Sequence, residues 1–592
     1  MKSWRLTALK FFFLFLMAAV AARLFYWQVI NYERFAIAAG EQHISTVRID
    51  APRGRIFATD GNLLVTNKDA FLVYASIPEI KKSLTKGENY LDKVDKIIDD
   101  LTPILYQEEI SKTKEPEKLS RKEKETIESN LKNKIKEKLN TEGVVWVPLE
   151  KKISIQAHGE IEKLNIKGIG FEEQSIRMYP EGQLASSLLG FVGKDGGGND
   201  KGYFGLEGYY EEQLAGKSGN LTQEVDASGK PIIASDSMEA YARNGLDIET
   251  TIDRTVQYTV EKYLFEGAKK YGAKEASVVV LDPKTGAVLA MASYPSYDPV
   301  KWDQFEEEER RNTAIDSVFE PGSTFKVITA ASALDAGAVK VDTVCPCAGP
   351  IDIGKYQVQT WNNKYSPNAT MAQILEHSDN IGAAFWAQKL GKNKFINYLS
   401  KFGIGSVSGI DLQGEETGIL NKIQDWGEIE LVTGAFGQGL SVTPLQMVQA
   451  VSAIANNGKM MQPYIVKKII SKDKQIIKDP KQVGKVIKPE VASTMKELML
   501  AAVENGEAKK IIPHGLRVGG KTGTAQIPKN GIYDPGKTVA SFIGFGPIED
   551  PKFVMIVKYT EPVPIYGAET AEPTFFKIAQ ELYTYWGIEI HK

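Results

Sequence analysis

Three short motifs place hydroxyls, amines and an amide at spacings that chemistry can use. Ser323-Thr324-Phe325-Lys326 is the first. A serine hydroxyl is a weak nucleophile until a base takes its proton, and a lysine three residues further along a helix lies on the same face. Glu320-Pro321-Gly322 precedes this motif, and an apolar run from Val327 to Leu334, closed by Gly337, follows it. The pattern predicts a loop turning sharply into a buried helix, with Ser323 at its N-terminal end. Burial there would lower the pKa of Lys326. Ser378-Asp379-Asn380 adds a second hydroxyl and an amide, able to relay a proton and hold a substrate carbonyl. Lys521-Thr522-Gly523-Thr524 opens a predicted strand over 522–527, where a glycine would let a substrate lie close to the backbone. Together these groups suit acyl transfer through a serine.

None of the motifs is persuasive alone. S-x-x-K occurs six times, starting at Ser83, Ser111, Ser129, Ser323, Ser471 and Ser493. Four of these lie in lysine-rich stretches expected to be exposed, where the amine stays solvated. The fifth, at Ser493, is on a helix whose Lys496 is expected to face solvent. Only Ser323 opens an apolar helix. The other S-x-N matches, at Ser218 and Ser366, are read as loops, and Lys284-Thr285-Gly286 as the turn of a hairpin.

The elements that must position these groups follow from patterning. Asp247 to Ile252 alternates like a strand and Arg254 to Tyr271 is helical in pattern. Ala276–Leu281 and Ala287–Ala292 read as a hairpin around Asp282-Pro283-Lys284-Thr285-Gly286. Met371–Leu390 and Thr443–Asn456 read as helices. Strands return near 515–526, 539–546 and 552–559, and a closing helix covers about 574–585. Strands from both ends with helices between them predict an α/β (α+β) domain: one sheet covered by helices. Upstream, 81–140 is dense in Lys and Glu and is read as solvated helices or a flexible insertion. The glycine-rich 190–208 stretch reads as a hinge or irregular loop.

Length and composition set outer bounds. A chain of 592 residues exceeds one small domain, and a net charge of −3 gives no reason to expect nucleic acid. The five histidines show no metal spacing, so no metal site is expected. Cys345 and Cys347 are separated only by Pro346 and are read as two reduced thiols, since a bridge across one residue would be strained. Near the N-terminus, Lys2, Arg5 and Lys10 flank an uncharged apolar run, Phe11–Ala22. A cleaved signal peptide ending at Ala19-Val20-Ala21 is one reading. Apolar and aromatic residues continue to Ile30, which favours a signal anchor from about Leu6, with the basic flank inside and the remainder extracytoplasmic.

The three motifs, in this order and context, resemble those of the class B penicillin-binding proteins, the monofunctional peptidoglycan D,D-transpeptidases. The resemblance extends to Arg53-Gly54-Arg55-Ile56, Arg177-Met178-Tyr179-Pro180, Gly205-Leu206-Glu207-Gly208, Gly437-Gln438-Gly439 and Ser541–Phe545. It implies a tail and membrane anchor over 1–30, a non-catalytic pedestal over 31–240 and a transpeptidase domain over 241–592. It implies Ser323 as nucleophile, Lys326 as general base with Lys521 nearby, and Ser378 as proton relay. Asn380 would position the peptide amide, and Thr522 and Thr524 would hold the substrate carboxylate around Gly523. The backbone N–H groups of Ser323 and Thr524 would form the oxyanion hole. Peptidoglycan stem peptides would be donor and acceptor, β-lactams covalent inhibitors, and no cofactor is implied. Residues 31–240 carry no acidic glycosyltransferase motif, so a separate SEDS-type polymerase and other divisome or elongasome membrane proteins are the implied partners. Length and the Gly437 region lean towards the septal branch. Hydrolase, penicillin-sensor and silent-scaffold readings are disfavoured by the large N-terminal region, the lack of further spans and the intact motifs. Asp379, with His377 beside it, departs from the family pattern and bears on selectivity.

Overall fold

The computed structural model describes residues 3–35, 44–49, 51–113, 116–224, 238–240, 242–506, 509, 511–529 and 532–590. Lys2, His43, Lys114, Glu115 and His591 lie outside them. Helix α1 (Ser3–Phe25) continues into a π turn at Tyr26–Ile30. Within Trp4–Ile30 the most apolar 18-residue window has a mean hydropathy of 2.0, and none of it is buried in protein. At about 1.5 Å per residue, 27 residues exceed the ~30 Å hydrocarbon core. This apolar helix fits a single-pass anchor.

The N-terminal region is built on a long strand, β1 (Leu63–Ser76). Helices α2 (Tyr90–Ser111) and α3 (Arg121–Leu139) follow, then β2 (Trp146–Ile153) and β3 (Ile169–Met178), both antiparallel to β1. The charged stretch 81–140 is therefore not a flexible insertion. Its apolar residues recur at helical spacing, and Val94, Ile97, Ile98, Leu101 and Leu105 pack against Leu131, Ile135 and Leu139 in a core of their own. Its Lys and Glu residues occupy the outer faces. The glycine-rich stretch is also ordered: Phe191–Lys194 and Asp200–Tyr203 pair as a hairpin. Just beyond it, fully buried Glu207 accepts from Arg53 Nε and Arg177 Nε, each at 2.6 Å. Three motifs far apart in sequence thus meet in one ion cluster. Removing the carboxylate would leave the buried Arg177 guanidinium without a carboxylate and Arg53 with Glu211 alone, at a cost of about 3–5 kcal/mol.

The sheet of this region does not stop at its boundary. Ile56–Phe57 pairs with β1 on one side and runs parallel to β4 (Asp247–Thr250) on the other. Strand β4 in turn pairs with Val466–Ile470. Helix α4 (Arg254–Tyr271) begins at Asp253, whose carboxylate caps Thr255 and Val256 N–H, and ends at Gly272 with φ +60°.

The C-terminal domain is organised on a five-stranded antiparallel sheet. Strands β5 (Glu275–Leu281) and β6 (Val288–Tyr294) form the predicted hairpin. After helices α5 (Lys326–Asp335), α6 (Asn380–Leu390), α7 (Pro444–Ala455) and α8 (Pro489–Glu504) come β7 (Gly519–Lys529), β8 (Ile532–Gly546) and β9 (Phe553–Thr560). Helix α9 (Ala571–Tyr585) closes the chain's fold. The strand order is β6-β5-β9-β8-β7, so β7 is a free edge. Alternation sorts the side chains between two cores. Val278, Val280, Met555, Val557 and Phe542 face α4 and α9. Val279, Leu281, Val554, Ile556 and Ile543 face α7, in the core that α5 also joins. All twelve residues of α7 are buried, which explains an apolar run too short to span a membrane.

One ionisable group joins the two regions. Glu261 on α4 is buried, and its carboxylate accepts from Ala185 N at 2.6 Å and from Gln257 Nε2 at 2.8 Å. Burial pushes its pKa up to about 7. The native state therefore holds this proton more tightly than the unfolded chain, so the associated stability is complete below the ordinary carboxyl range and is lost as pH rises through 7. Stability measured by denaturant titration should fall between pH 5 and 8, and Glu261→Gln should flatten that slope. A slope identical in the variant would remove Glu261 as its source.

Candidate active site

The nucleophile segment is shaped by glycines that permit close approach. Gly322 has φ +55° and donates its N–H to Gly437 O at 3.1 Å. Gly437 has φ +77°, and a Cβ there would lie 2.5 Å from Gly322 O. Between them the chain makes a 3-10 turn, Gly322–Phe325, in place of the first α-helical turn the sequence predicts; α5 begins at Lys326. Thr324 Oγ1 caps this turn by donating to Pro321 O at 2.7 Å. Thr324, Phe325 and Lys326 are fully buried, while Ser323 is half-buried and faces a cavity.

Lys326 carries its amine into a cluster of oxygens. Nζ donates to Ser378 O at 2.6 Å, to Asn380 Oδ1 at 2.8 Å and to Ser378 Oγ at 3.3 Å. Among the lysines of the six S-x-x-K matches that are described, it alone is fully buried. The oxygens are presented by a break in what the sequence reads as one helix over 371–390. Met371–Glu376 ends, Ser378 takes φ +53°, and α6 restarts at Asn380. Asp379 makes the restart possible: its carboxylate caps Ile381 N–H at 2.7 Å and Gly382 N–H at 3.2 Å. Its role in the fold is thus an N-cap. Asn380 is held at its other end, Nδ2 donating to Gln359 O at 3.0 Å.

Strand β7 supplies the third wall. Lys521 is buried and its Nζ donates to Thr522 Oγ1 at 3.0 Å. Thr524 Oγ1 accepts from Gly567 N at 3.0 Å, leaving its own proton free to donate. Thr522, Thr524 and Gln526 line the cavity. Gly523 has a different duty from the one expected. A Cβ there would lie 2.5 Å from Ser541 Oγ, 2.8 Å from Thr324 Cγ2 and 3.0 Å from Pro321 O. The glycine clears room for the nucleophile turn beneath the strand, not for substrate above it.

Ser323, Ser378, Asn380, Thr522 and Thr524 therefore converge on one cavity of about 760 Å³, with Lys326 behind it. The sequence does not announce its other walls. Trp361 and Tyr566 meet edge to face at 6.2 Å, and Phe436 and Gln438 stand beside the turn. Trp361 Nε1 donates to His377 O at 3.4 Å, which ties this wall to the helix break. Glu320, next to the turn, accepts from Gly439 N at 2.9 Å and from Tyr533 OH at 3.2 Å, and burial raises its pKa.

Close by, Cys345–Cys347 pairs with Ser366–Ala369, so Ser366 lies on a strand, not in a loop. The two cysteines are bonded as a disulfide, not reduced thiols. A register irregularity between Cys345 and Pro346 brings their Cα atoms to 5.2 Å, within the usual disulfide range, where a fully extended chain would hold them further apart.

Fold and site together are those of a penicillin-binding transpeptidase domain on an N-terminal pedestal. The model of the penicillin binding protein transpeptidase domain matches residues 276–580, and that of the penicillin-binding protein dimerisation domain matches 48–250. Stage V sporulation protein D of Bacillus subtilis is 33% identical over 583 residues, 97% of this chain and 84% of that protein. Peptidoglycan D,D-transpeptidase FtsI of Escherichia coli is 30% identical over 435 residues, 73% of this chain and 71% of that protein. The crystal structure of penicillin binding protein 2X from Streptococcus thermophilus aligns with a TM-score of 0.72 at 25% identity, covering 92% of this chain and 80% of that one. The chain belongs to the class B penicillin-binding proteins.

Gly523→Ala tests the contact between strand and turn. The added methyl overlaps Thr324 and Ser541, so the variant should lose about 1–3 kcal/mol of stability. Covalent labelling by a fluorescent penicillin should slow at least tenfold, a modest displacement of the reacting atom being enough. Wild-type stability and labelling would show that the glycine is not needed there.

Proposed function

We propose that the protein is a peptidoglycan D,D-transpeptidase working through a serine acyl-enzyme. The observation that carries this reading is the fully buried Lys326 amine, held against Ser378 and Asn380 one turn from Ser323 at the floor of an open cavity. In the first step Ser323 Oγ attacks the carbonyl of the penultimate D-Ala of a stem peptide, and Lys326, as the neutral amine with its lone pair released from the long contact to Ser378 Oγ, takes the hydroxyl proton. The N–H groups of Ser323 and Thr524 receive the developing oxyanion, each such donor typically contributing about 3 kcal/mol. The C–N bond breaks and D-Ala leaves with a proton relayed through Ser378. In the second step the amine of another stem peptide attacks the ester and Ser323 Oγ recovers its proton. The Thr522 and Thr524 hydroxyls, beside Lys521, suit the donor's terminal carboxylate. The free edge of β7 suits an extended peptide backbone.

In this reading α1 anchors the protein with Arg5 and Lys10 on the cytoplasmic side, and the catalytic domain acts on the cell wall outside. A polymerase of the SEDS type is the expected membrane partner. A division role is the finer reading. Depletion should then yield filaments with blocked septa, and rounded cells would point to elongation instead.

Ser323→Ala should take no penicillin label. Lys326→Met should label roughly 10²–10⁴-fold more slowly, the usual share of general-base catalysis. A labelled Ser323→Ala protein would overturn the assignment. A penicilloyl adduct that turns over rapidly in the wild type would make the protein a hydrolase.

A further inference from the structure

A third buried lysine, after Lys326 and Lys521, lies under the Ser323 segment and outside the three motifs. Lys558 sits in β9, the central strand, and is 1% exposed. Its direct partners across the sheet are Ser541 on β8 and Ser277 on β5, and Ser541 in turn is opposite Gly523 on β7. These four positions form one row on the face covered by α7 and, at its β7 end, by the Gly322–Phe325 turn. The segment leading to Ser323 lies along that row. At one end Pro321 and Thr324 rest on Gly523. Towards the middle, Lys558 Nζ donates to Ser317 Oγ at 3.1 Å and stands 5.3 Å from the centre of the Phe319 ring. Ser317 Oγ passes the interaction on to Glu275 Oε2 at 3.4 Å.

The same segment is laced on its other side to 437–442. Phe319 and Val442 exchange two backbone hydrogen bonds of 2.9 Å, and Gly439 N reaches Glu320. We infer that Lys558 is a positioning residue for the acylation proposed above: its ammonium ties the central strand to the segment that delivers Ser323.

The charged groups facing Lys558 are Glu275 on β5 and, from the loop before the segment, Asp316 and Arg311. Arg311 is itself paired with Asp316 at 3.1 Å. Burial lowers the Lys558 pKa to about 8, against the pull of Glu275 and Asp316. Above that pH the neutral amine loses its attraction for Glu275 and for the Phe319 ring, and the tie weakens. Global stability moves the other way. The unfolded lysine holds its proton up to its ordinary pKa, so between about 8 and 10.5 the native state gains stability from this group as pH rises. A purely structural role would not let acylation fall while stability rises.

The test compares second-order rate constants for penicillin acylation in the full chain and in Lys558→Arg, whose charge persists across the range. Their ratio cancels every other titrating group, Lys326 included. From pH 7 to 9 the ratio of wild type to variant should fall about tenfold, and a flat ratio overturns the inference. Lys558→Met, with its melting temperature measured alongside so that rates are compared on folded protein, should acylate about tenfold more slowly at pH 7. A wild-type rate in that variant also overturns it. If the wild type takes no label at all, the acyl-enzyme reading fails on its own account. The tie is then decided by hydrogen exchange at amides 317–325, which should be faster in Lys558→Met and, if unchanged, sinks the inference.

Discussion

A buried amine on one helix and three oxygens at the head of another form the contact on which the site depends. Lys326 has no water to solvate it, so its hydrogen bonds must all come from protein. Ser378 O and Oγ and Asn380 Oδ1 provide them from 52 to 54 residues downstream. Leaving such a group unpaired would cost several kcal/mol, which is a large part of a typical domain's stability. The requirement propagates outward. For Ser378 to offer both of its oxygens, the chain must leave the helix and take a left-handed turn that a non-glycine residue adopts only at a cost. Asp379 offsets that cost by capping the new helix, and Gln359 holds the far end of Asn380. The catalytic geometry and the local fold are therefore the same set of bonds.

The second constraint is backbone proximity. Gly322, Gly437, Gly523 and Gly567 each sit where a Cβ would come within about 3 Å of another segment's backbone or side chain. Gly437 lies against Gly322, Gly523 against Pro321 and Thr324, and Gly567 against the Gly523 carbonyl. Four segments from distant parts of the chain are thereby stacked at separations that only glycine allows. This stacking brings Thr522 and Thr524 to the same cavity as Ser323.

The motifs themselves were legible because their settings differ from those of their decoys. Pro-Gly followed by an apolar run marks Lys326 as buried, whereas Ser471-x-x-Lys474 lies among exposed lysines. The hairpin at 275–294 and helix α4 were legible because Asp253, Gly272 and the Asp-Pro-Lys-Thr-Gly turn are strong local punctuation. The break at 377–379 was hidden because the apolar spacing continues on both sides of it; only the S-x-N motif hints that the chain must stop there. In residues 81–140 the helices were legible but their core was not, because charge dominates the composition and the eight core positions of the two helices are diluted among lysines and glutamates. Trp361 and Tyr566 carry no motif and come from segments 205 residues apart, so their meeting is a product of tertiary packing alone. The disulfide is not legible because a bridge across one residue is expected to be strained, and only the register irregularity at Pro346 brings the two Cα atoms to 5.2 Å.

Strand alternation explains why the third motif is written lysine-threonine-glycine and continues into threonine. Successive residues of a strand point to opposite faces. Lys521 and Gly523 lie opposite Ile543 and Ser541, on the face against the Gly322–Phe325 turn. Thr522 and Thr524 point the other way, into the cavity. The inner pair must include a residue without a side chain, because the turn already fills that space. The outer pair lines the cavity and presents its hydroxyls there. A shift of one residue would put threonine methyls into Pro321 and turn the glycine towards substrate, exchanging both functions at once. The register of β7 on β8 is therefore as much a part of the active site as the side chains it presents. It is held by the pairing from Gly519 opposite Phe545 to Gln526 opposite Thr538, which runs unbroken until the irregularity at Ile527, beyond the last cavity residue on the strand.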